Sequence, residues 1–249
     1  MRLFGKNPAI ERLRSNPKSI RQIYIQEGFR EAAYIYKKAK QNGIPVIAVA
    51  ASRLWKMGRD KNTQGILVDV EDFAYTPYED LLEAALHKKR CLVFLDGLND
   101  PQNLGAVIRS LACLGRFSVV LPAHGSVEIT ESVLRVASGG DNYVPVAKVT
   151  NLAQAVRSAK EAGIHVMGSV VESGVNIFDA EFSFPLGLVV GSERQGIREG
   201  IRKLLDGEIT IPMAMETLSF NVAQAATILC YEITRQRKIR QDTQESQRP

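Results

Sequence analysis

Short apolar runs alternate with stretches of helical spacing along almost the whole chain, and the alternation occurs in two rounds. In the first round Asn7-Pro8 opens a predicted helix with Ile10 and Leu13 on one face, and an apolar strand follows in SIRQIYIQEG. A longer helix around residues 30–42 ends at Gly43, the residue type best suited to a helix C-terminus. A buried strand in IPVIAVA, a helix in SRLWKMG and a last strand in GILVDV complete a module over residues 1–75, expected to be a small three-layer αβα unit. Residues 76–90, with the mostly helical run LLEAALHKKR, read as a linker.

The second round fills residues 91–249. CLVFLDGL reads as a buried parallel strand and NLGAVIRSLACLG as a helix. Leu104, Val107, Ile108, Leu111 and Ala112 fall at i, i+3, i+4, i+7 and i+8, one face of that helix. SVVLP is the next strand, Thr130 to Ala137 a helix, VPVAKV a strand, and LAQAVRSAKEAG a helix capped by Gly163. IHVMGSVV and PLGLVVG are strands, IREGIRKLLD a helix, EITIPM the last strand, and Val222 to about Arg237 a long closing helix. The polar residues beyond it are expected to fray. Six predicted strands interleaved with helices imply an α/β domain with a mostly parallel sheet covered on both faces.

Composition narrows the classes. With 45% hydrophobic and 24% charged residues the chain is ordinary globular protein. The formal charge of +5 and pI near 9.1 fit a nucleic-acid partner, and fit an ordinary basic cytosolic protein equally well. No apolar run is long enough to span a membrane, and MRLFGKNPAIERLRSN lacks the apolar core of a signal peptide. Cys91, Cys113 and Cys230 lie in apolar surroundings and read as reduced core residues of a cytoplasmic protein. His87, His124 and His165 are too scattered to share a metal, so no metal site is expected.

Polar residues gather where three of the apolar runs end: NDPQNLGAVIRS at 99–110, VVGSERQGI at 189–197 and IPMAMETLSFNVAQA at 211–225. Open α/β sheets bind ligands at such points. Asn103 precedes a helix, so capping alone accounts for it taken singly, and Arg109, off the apolar face, reads singly as a surface arginine. Gly191 to Gly196 has the outer spacing of a P-loop, but Ile197 stands where the phosphate-binding lysine belongs. No G-x-G-x-x-G follows a predicted strand, which weakens a dinucleotide reading. Glu193 is then either a polar anchor on a tight turn or a solvated carboxylate. Pro212 removes a backbone donor beside Ile211 and leaves free backbone groups that a purine edge can use. Ser219 and Asn221 are both placed to cap the closing helix or to serve a site.

Taken together, D-P-x-N-x-G-A-x-x-R at 100–109, G-S-E-x-x-G at 191–196 and I-P-M followed by S-x-N at 219–221 closely resemble the three motifs of the SpoU (TrmH) family of RNA ribose 2′-O-methyltransferases, in the SPOUT class. The resemblance covers residues 91 to about 237, and the first module is similar, through LFGKNPAIERL and TQGI, to the substrate-binding domain of the bacterial 23S rRNA guanosine 2′-O-methyltransferase subgroup. It implies a knotted, trefoil α/β domain, S-adenosyl-L-methionine as cofactor, a homodimer and an RNA substrate. By position it implies cofactor contacts from Gly191, Ile211, Met213, Leu218 and Phe220. Arg109 matches the catalytic arginine, with Asn103, Glu193, Ser219 and Asn221 as its supporting polar set. The chain departs from the pattern at Gln102, Thr63, Arg194, Phe220 and Ala223, none of which removes a core motif residue.

The chemistry is compatible with these residues. Methyl transfer to a ribose 2′-OH gains most from holding both reactants in near-attack geometry. A guanidinium normally stays protonated, so Arg109 gripping a phosphate or polarising the 2′-oxygen is favoured over a deprotonated Arg109 acting as base. Asn103 and Glu193 would orient it, and Ser219 and Asn221 would position ribose or cofactor. Arg12, Arg14, Lys18, Arg21, Lys37, Lys38 and Lys40 would supply phosphate contacts in the first module. The expected function is 2′-O-methylation of 23S rRNA, with tRNA 2′-O-methylation or non-catalytic RNA binding on the same fold as alternatives.

Overall fold

The structure is a computed structural model and describes residues 1–58, 62–215 and 218–246. In chain order it runs β1 (Arg2–Phe4), α1 (Lys6–Ser15), β2 (Ile20–Gln26), α2 (Ala32–Gln41), β3 (Val46–Val49), α3 (Ala51–Met57) and β4 (Ile66–Val70). There follow α4 (Tyr78–Lys88), β5 (Cys91–Asp96), α5 (Pro101–Leu114), β6 (Phe117–Pro122), α6 (Glu131–Ala137), β7 (Val146–Val149) and α7 (Leu152–Glu161). The chain closes with β8 (His165–Val170), β9 (Val175–Asn176), β10 (Leu186–Gly191), α8 (Glu199–Arg202), β11 (Gly207–Thr210) and α9 (Val222–Ser246). Two compact units emerge: residues 1–74 with 129–143, and residues 75–128 with the chain from 144 onward.

The first unit is a four-stranded mixed sheet in the order β1-β4-β2-β3, parallel only between β2 and β3. Alternation along the strands sends Phe4, Tyr24, Leu67 and Val49 to one face, where Leu54 of α3 packs on them. The positions between them, Ile23, Ile25, Ile66 and Val68, are also buried, so both faces are covered. β3 lies at the sheet edge with Ile47 43% exposed, so IPVIAVA forms a half-exposed edge strand and not the buried one its apolar run predicts. β1, too short to read from pattern, pairs antiparallel with β4.

Segment 129–143 joins this unit through polar ties. The Arg2 amide donates to Glu131 Oε1 at 2.9 Å, the Tyr143 hydroxyl donates to the Glu11 carboxylate, and the Arg12 guanidinium pairs with Asp141. Arg12 and Asp141 are both buried, so each replaces the water the other has lost. Arg12 is therefore committed to an internal ion pair and is not a phosphate contact. The backbone positions of Arg14, Lys18, Arg21, Lys37 and Lys40 leave those side chains exposed.

The second unit holds a seven-stranded parallel sheet in the order β7-β6-β5-β10-β8-β11-β9. Every residue of β5 is buried, as in strands covered by helices on both faces. Leu92, Phe94, Val120, Val166 and Val189 pack with Val156 and Ala159 of α7 and with Leu81 and Ala85 of α4. Thus the stretch expected to be a linker carries a helix packed into this core, and the Tyr78 hydroxyl on that helix donates to the Ala155 carbonyl at 2.6 Å. β9 has two residues and no periodicity to announce it.

α9 continues past Arg237, where the polar sequence predicts fraying, because Arg237 is itself an anchor. Its buried guanidinium donates to the carbonyls of Gly115 at 3.1 Å and Arg116 at 3.3 Å and lies over the Phe117 ring. Cys91 and Cys230 are buried, and burial pushes the Cys91 thiol up to about 12. Cys113 is exposed, contrary to its apolar surroundings in sequence. It follows buried Leu111 by two positions, which a helix turns about 200° away from the core. Among the described residues no helix is long and apolar enough to cross a membrane.

Candidate functional site

The chain leaves β5 towards β6 and β7 on one side of the sheet, while β10, β8 and β11 lie on the other. The carboxyl ends of β5 and β10 therefore meet at a topological switch point. A cleft of about 430 Å³ opens in this region, lined by the ends of β8 and β10, the loop after β10 and the segment after β11. Gly191, Ile211, Met213 and Phe220 line it together with Glu193 and Ser219. Leu218 is exposed and outside the lining.

The loop after β10 is a closed turn. Ser192 N donates to the Gly196 carbonyl at 3.2 Å, and Gly196 N donates back to the Ser192 carbonyl at 2.9 Å. This turn folds directly over Gly191, where an added Cβ would fall on the Gly196 carbonyl. Replacing Gly191 with alanine is expected to cost about 1–3 kcal/mol, the usual penalty of overpacking, because the obstacle is backbone. Thermal or urea unfolding of the variant measures it. Unchanged stability would show that the turn opens freely.

Asp96, which no sequence motif singles out, fixes the far end of this turn. At the carboxyl end of β5 it is 1% exposed and accepts three contacts from Arg198: the backbone N–H at 2.8 Å, Nε at 2.7 Å and a terminal nitrogen at 2.6 Å. A carboxylate closing an otherwise apolar strand, followed by Gly97 at φ +78°, is the signal that could have found it. Its partner lies 102 residues on and carries no such mark. Arg202, also on the cleft, forms a two-pronged pair with Glu208, whose carboxyl is held below its ordinary range by that pairing.

Beside the cleft runs a chain of side-chain hydrogen bonds. Asn221 Nδ2 donates to Asn103 Oδ1 at 3.0 Å, and Asn103 Nδ2 donates to Glu193 Oε1. Asn221 also caps α9, accepting from the Ala223 N–H at 2.9 Å. Asn103 is not a cap: Asp100 caps α5, accepting from the Gln102 N–H at 2.8 Å, with Pro101 in the first helical position. Asn103 is thus free to use both ends of its amide across the three motifs. Within the motif segment 211–221 the amides of Ile211, Met213 and Phe220 have no backbone partner among the described residues. Glu216 and Thr217 lie outside those residues.

Arg109 stands apart. It is exposed on α5, about 9 Å along the helix from Asn103, and makes no hydrogen bond or ion pair among the described residues. Among those residues no group of three or more His, Cys, Asp or Glu side chains is placed to hold a metal ion.

Comparison with known proteins matches residues 90–231 to the SpoU rRNA Methylase family and residues 2–76 to the RNA 2′-O ribose methyltransferase substrate binding domain. The chain is 34% identical to an uncharacterized tRNA/rRNA methyltransferase of Mycobacterium ulcerans, over 95% of this chain and 77% of that protein. It is 33% identical to YacO of Bacillus subtilis, named a TrmH family tRNA/rRNA methyltransferase, over 94% of this chain and 95% of that one. Among solved structures it resembles the SpoU methyltransferase AviRb of Streptomyces viridochromogenes in complex with the cofactor AdoMet. That match has a TM-score of 0.77 and 25% identity, over 95% of this chain and 90% of that one.

Proposed function

Because the chain belongs to the SpoU rRNA Methylase family, we propose that it is an S-adenosylmethionine-dependent RNA 2′-O-ribose methyltransferase acting on 23S rRNA. The observation that carries this reading is the Asn221–Asn103–Glu193 chain at the edge of the Gly191–Ile211–Phe220 cleft. It joins residues from three separated motifs into one hydrogen-bonded polar line beside a pocket of small-molecule size.

The residues present fit the cofactor. The cleft combines apolar walls from Ile197, Ile211, Met213 and Phe220 with backbone amides that have no backbone partner among the described residues, and with a glycine whose missing Cβ leaves room for a folded turn. Gly191, Ile211, Met213 and Phe220 would hold it, with Leu218 alongside. When bound, S-adenosylmethionine supplies a methyl group on a sulfonium. Asn103 and Glu193 fix one another by hydrogen bonding, and Ser219, on the cleft with no side-chain partner among the described residues, positions the ribose or the cofactor. Arg109 grips the target phosphate or polarises the 2′-oxygen, a role open to a guanidinium that no carboxylate engages among the described residues.

The family's C-terminal trefoil knot and homodimer belong to the same proposal. Exposed Met215, Leu218, Phe220, Tyr231 and Ile239, all in the closing segment, support a second copy as their cover. The first unit would carry the RNA, and the enzyme would act in the cytoplasm during rRNA processing.

Incubation with labelled S-adenosylmethionine and separate rRNA and tRNA pools tests the substrate. Label in rRNA is the expected result. Label in tRNA alone would transfer the reading to tRNA, as the names of both relatives allow. No label, with no cofactor binding in calorimetry, would leave a non-catalytic RNA binder.

A further inference from the structure

Trp55 is the chain's single tryptophan and stands 57% exposed on α3. It does not hold the helix in place, because the neighbouring Leu54 fills the core. Instead Trp55 borders a groove whose other walls are Gln26 at the end of β2, Ser52, and the turn Asn62–Gly65.

The turn is a built feature. Gln64 sits at φ +51° with its N–H donating to Asn62 Oδ1 at 3.0 Å. Gly65, at φ +83°, lies so close to the Phe29 ring that a Cβ there would approach it to 2.6 Å. The side-chain amide of Gln26 and the hydroxyls of Ser52 and Thr63 line the groove without a hydrogen-bond partner among the described residues. Arg53 and Lys56, on either side of Trp55, are exposed and form no ion pair among those residues.

An exposed indole face, amide and hydroxyl groups without a hydrogen-bond partner among the described residues, and exposed cations together suit one kind of ligand. An unpaired nucleobase offers a π-face to stack, polar edges to hydrogen-bond, and phosphates on both sides. A base inside a duplex presents no free face. We infer that this groove takes an unpaired RNA base, stacked on Trp55 with its edge met by Gln26, Ser52 and Thr63 and its flanking phosphates near Arg53 and Lys56. The inference rests on the proposed RNA substrate and adds to it a preference for a single-stranded element.

Because Trp55 is the single tryptophan, emission excited beyond the tyrosine absorption band reports on this position alone. The probes are an oligoadenylate of about a dozen nucleotides and the same strand annealed to oligouridylate. The single strand is expected to quench the emission saturably, and the duplex to bind without quenching. Trp55→Ala should weaken single-strand binding by roughly tenfold, and Trp55→Phe should recover most of it. Binding of S-adenosylmethionine should be the same in all three proteins. A bound single strand that leaves the emission unchanged, or undiminished binding by Trp55→Ala, would overturn the inference. Methyl transfer to RNA is measured on the same preparation. Transfer with unchanged emission removes the stacking site and leaves the functional reading. Quenching by the single strand without transfer to any RNA removes the catalytic reading and leaves the stacking site on an RNA binder.

Discussion

Arg109→Ala is expected to slow methyl transfer by about 100- to 1,000-fold, the cost of removing one charge-stabilising donor from a reaction site, with the fold intact. The side chain is exposed and unpartnered among the described residues, so its removal opens no cavity and strands no buried charge. It does not line the cleft, so affinity for S-adenosylmethionine should also stay as it was. A loss confined to turnover is the signature of an interaction made with substrate in the transition state. Arg109→Lys keeps the charge but not the planar fork, and should fall between. Single-turnover transfer and thermal melting measured on the same samples check both parts. A wild-type rate in Arg109→Ala would remove the assigned role.

Arg198→Ala is expected to destabilise the second unit by about 2–4 kcal/mol and to weaken cofactor binding about tenfold or more. The cause is Asp96. Its carboxylate is 1% exposed, and two of its three contacts come from the Arg198 side chain. Alanine leaves a buried charge with a single backbone donor. The figure lies at the lower end of the range for broken buried pairs because the Arg198 side chain is 55% exposed and screened by water. Adding Asp96→Asn to Arg198→Ala removes the stranded charge and should restore part of the stability, a non-additivity that a merely exposed arginine would not produce. Urea unfolding of the single and double variants, with calorimetric titration of S-adenosylmethionine, measures both effects. Equal stability of Arg198→Ala and wild type would contradict the clamp.

The parallel sheet was legible because its strands are buried on both faces, which writes uninterrupted apolar runs such as CLVFL and LGLVV into the sequence. Where that condition fails, so does the reading. β3 has the apolar composition of a core strand but lies on an edge, and strand order is invisible in a local pattern. β1 and β9 are too short for any period. The helix in 78–88 was visible, yet its packing against the second core was not, since burying Leu81 and Ala85 is a long-range event.

The candidate site divides along the same line. The cleft gathers Gly191, Ile211, Met213 and Phe220 because each ends or follows a strand at the carboxyl end of one sheet, an arrangement that alternation does imply. Hydrogen-bond partnership is different. The Asp100-Pro101 pair carries the ordinary sequence mark of a helix start, and that mark is enough to release Asn103 from a capping role. The bond from Asn103 to Glu193 spans 90 residues and that from Asn221 to Asn103 spans 118. Such partners meet only once the chain is folded. Arg12 misled for a related reason: charge marks a candidate for phosphate, and only folding shows that Asp141 already holds it.

Alkaline hydrolysis of RNA labelled by this protein from S-adenosylmethionine tests the central claim most directly. Alkali cleaves RNA through attack by the free 2′-hydroxyl, so a ribose methylated at that oxygen protects the next phosphodiester. Label recovered in alkali-resistant dinucleotides is the expected result. Label recovered in mononucleotides would place the methyl group on a base and contradict ribose 2′-O-methylation at the Asn103–Glu193–Asn221 site.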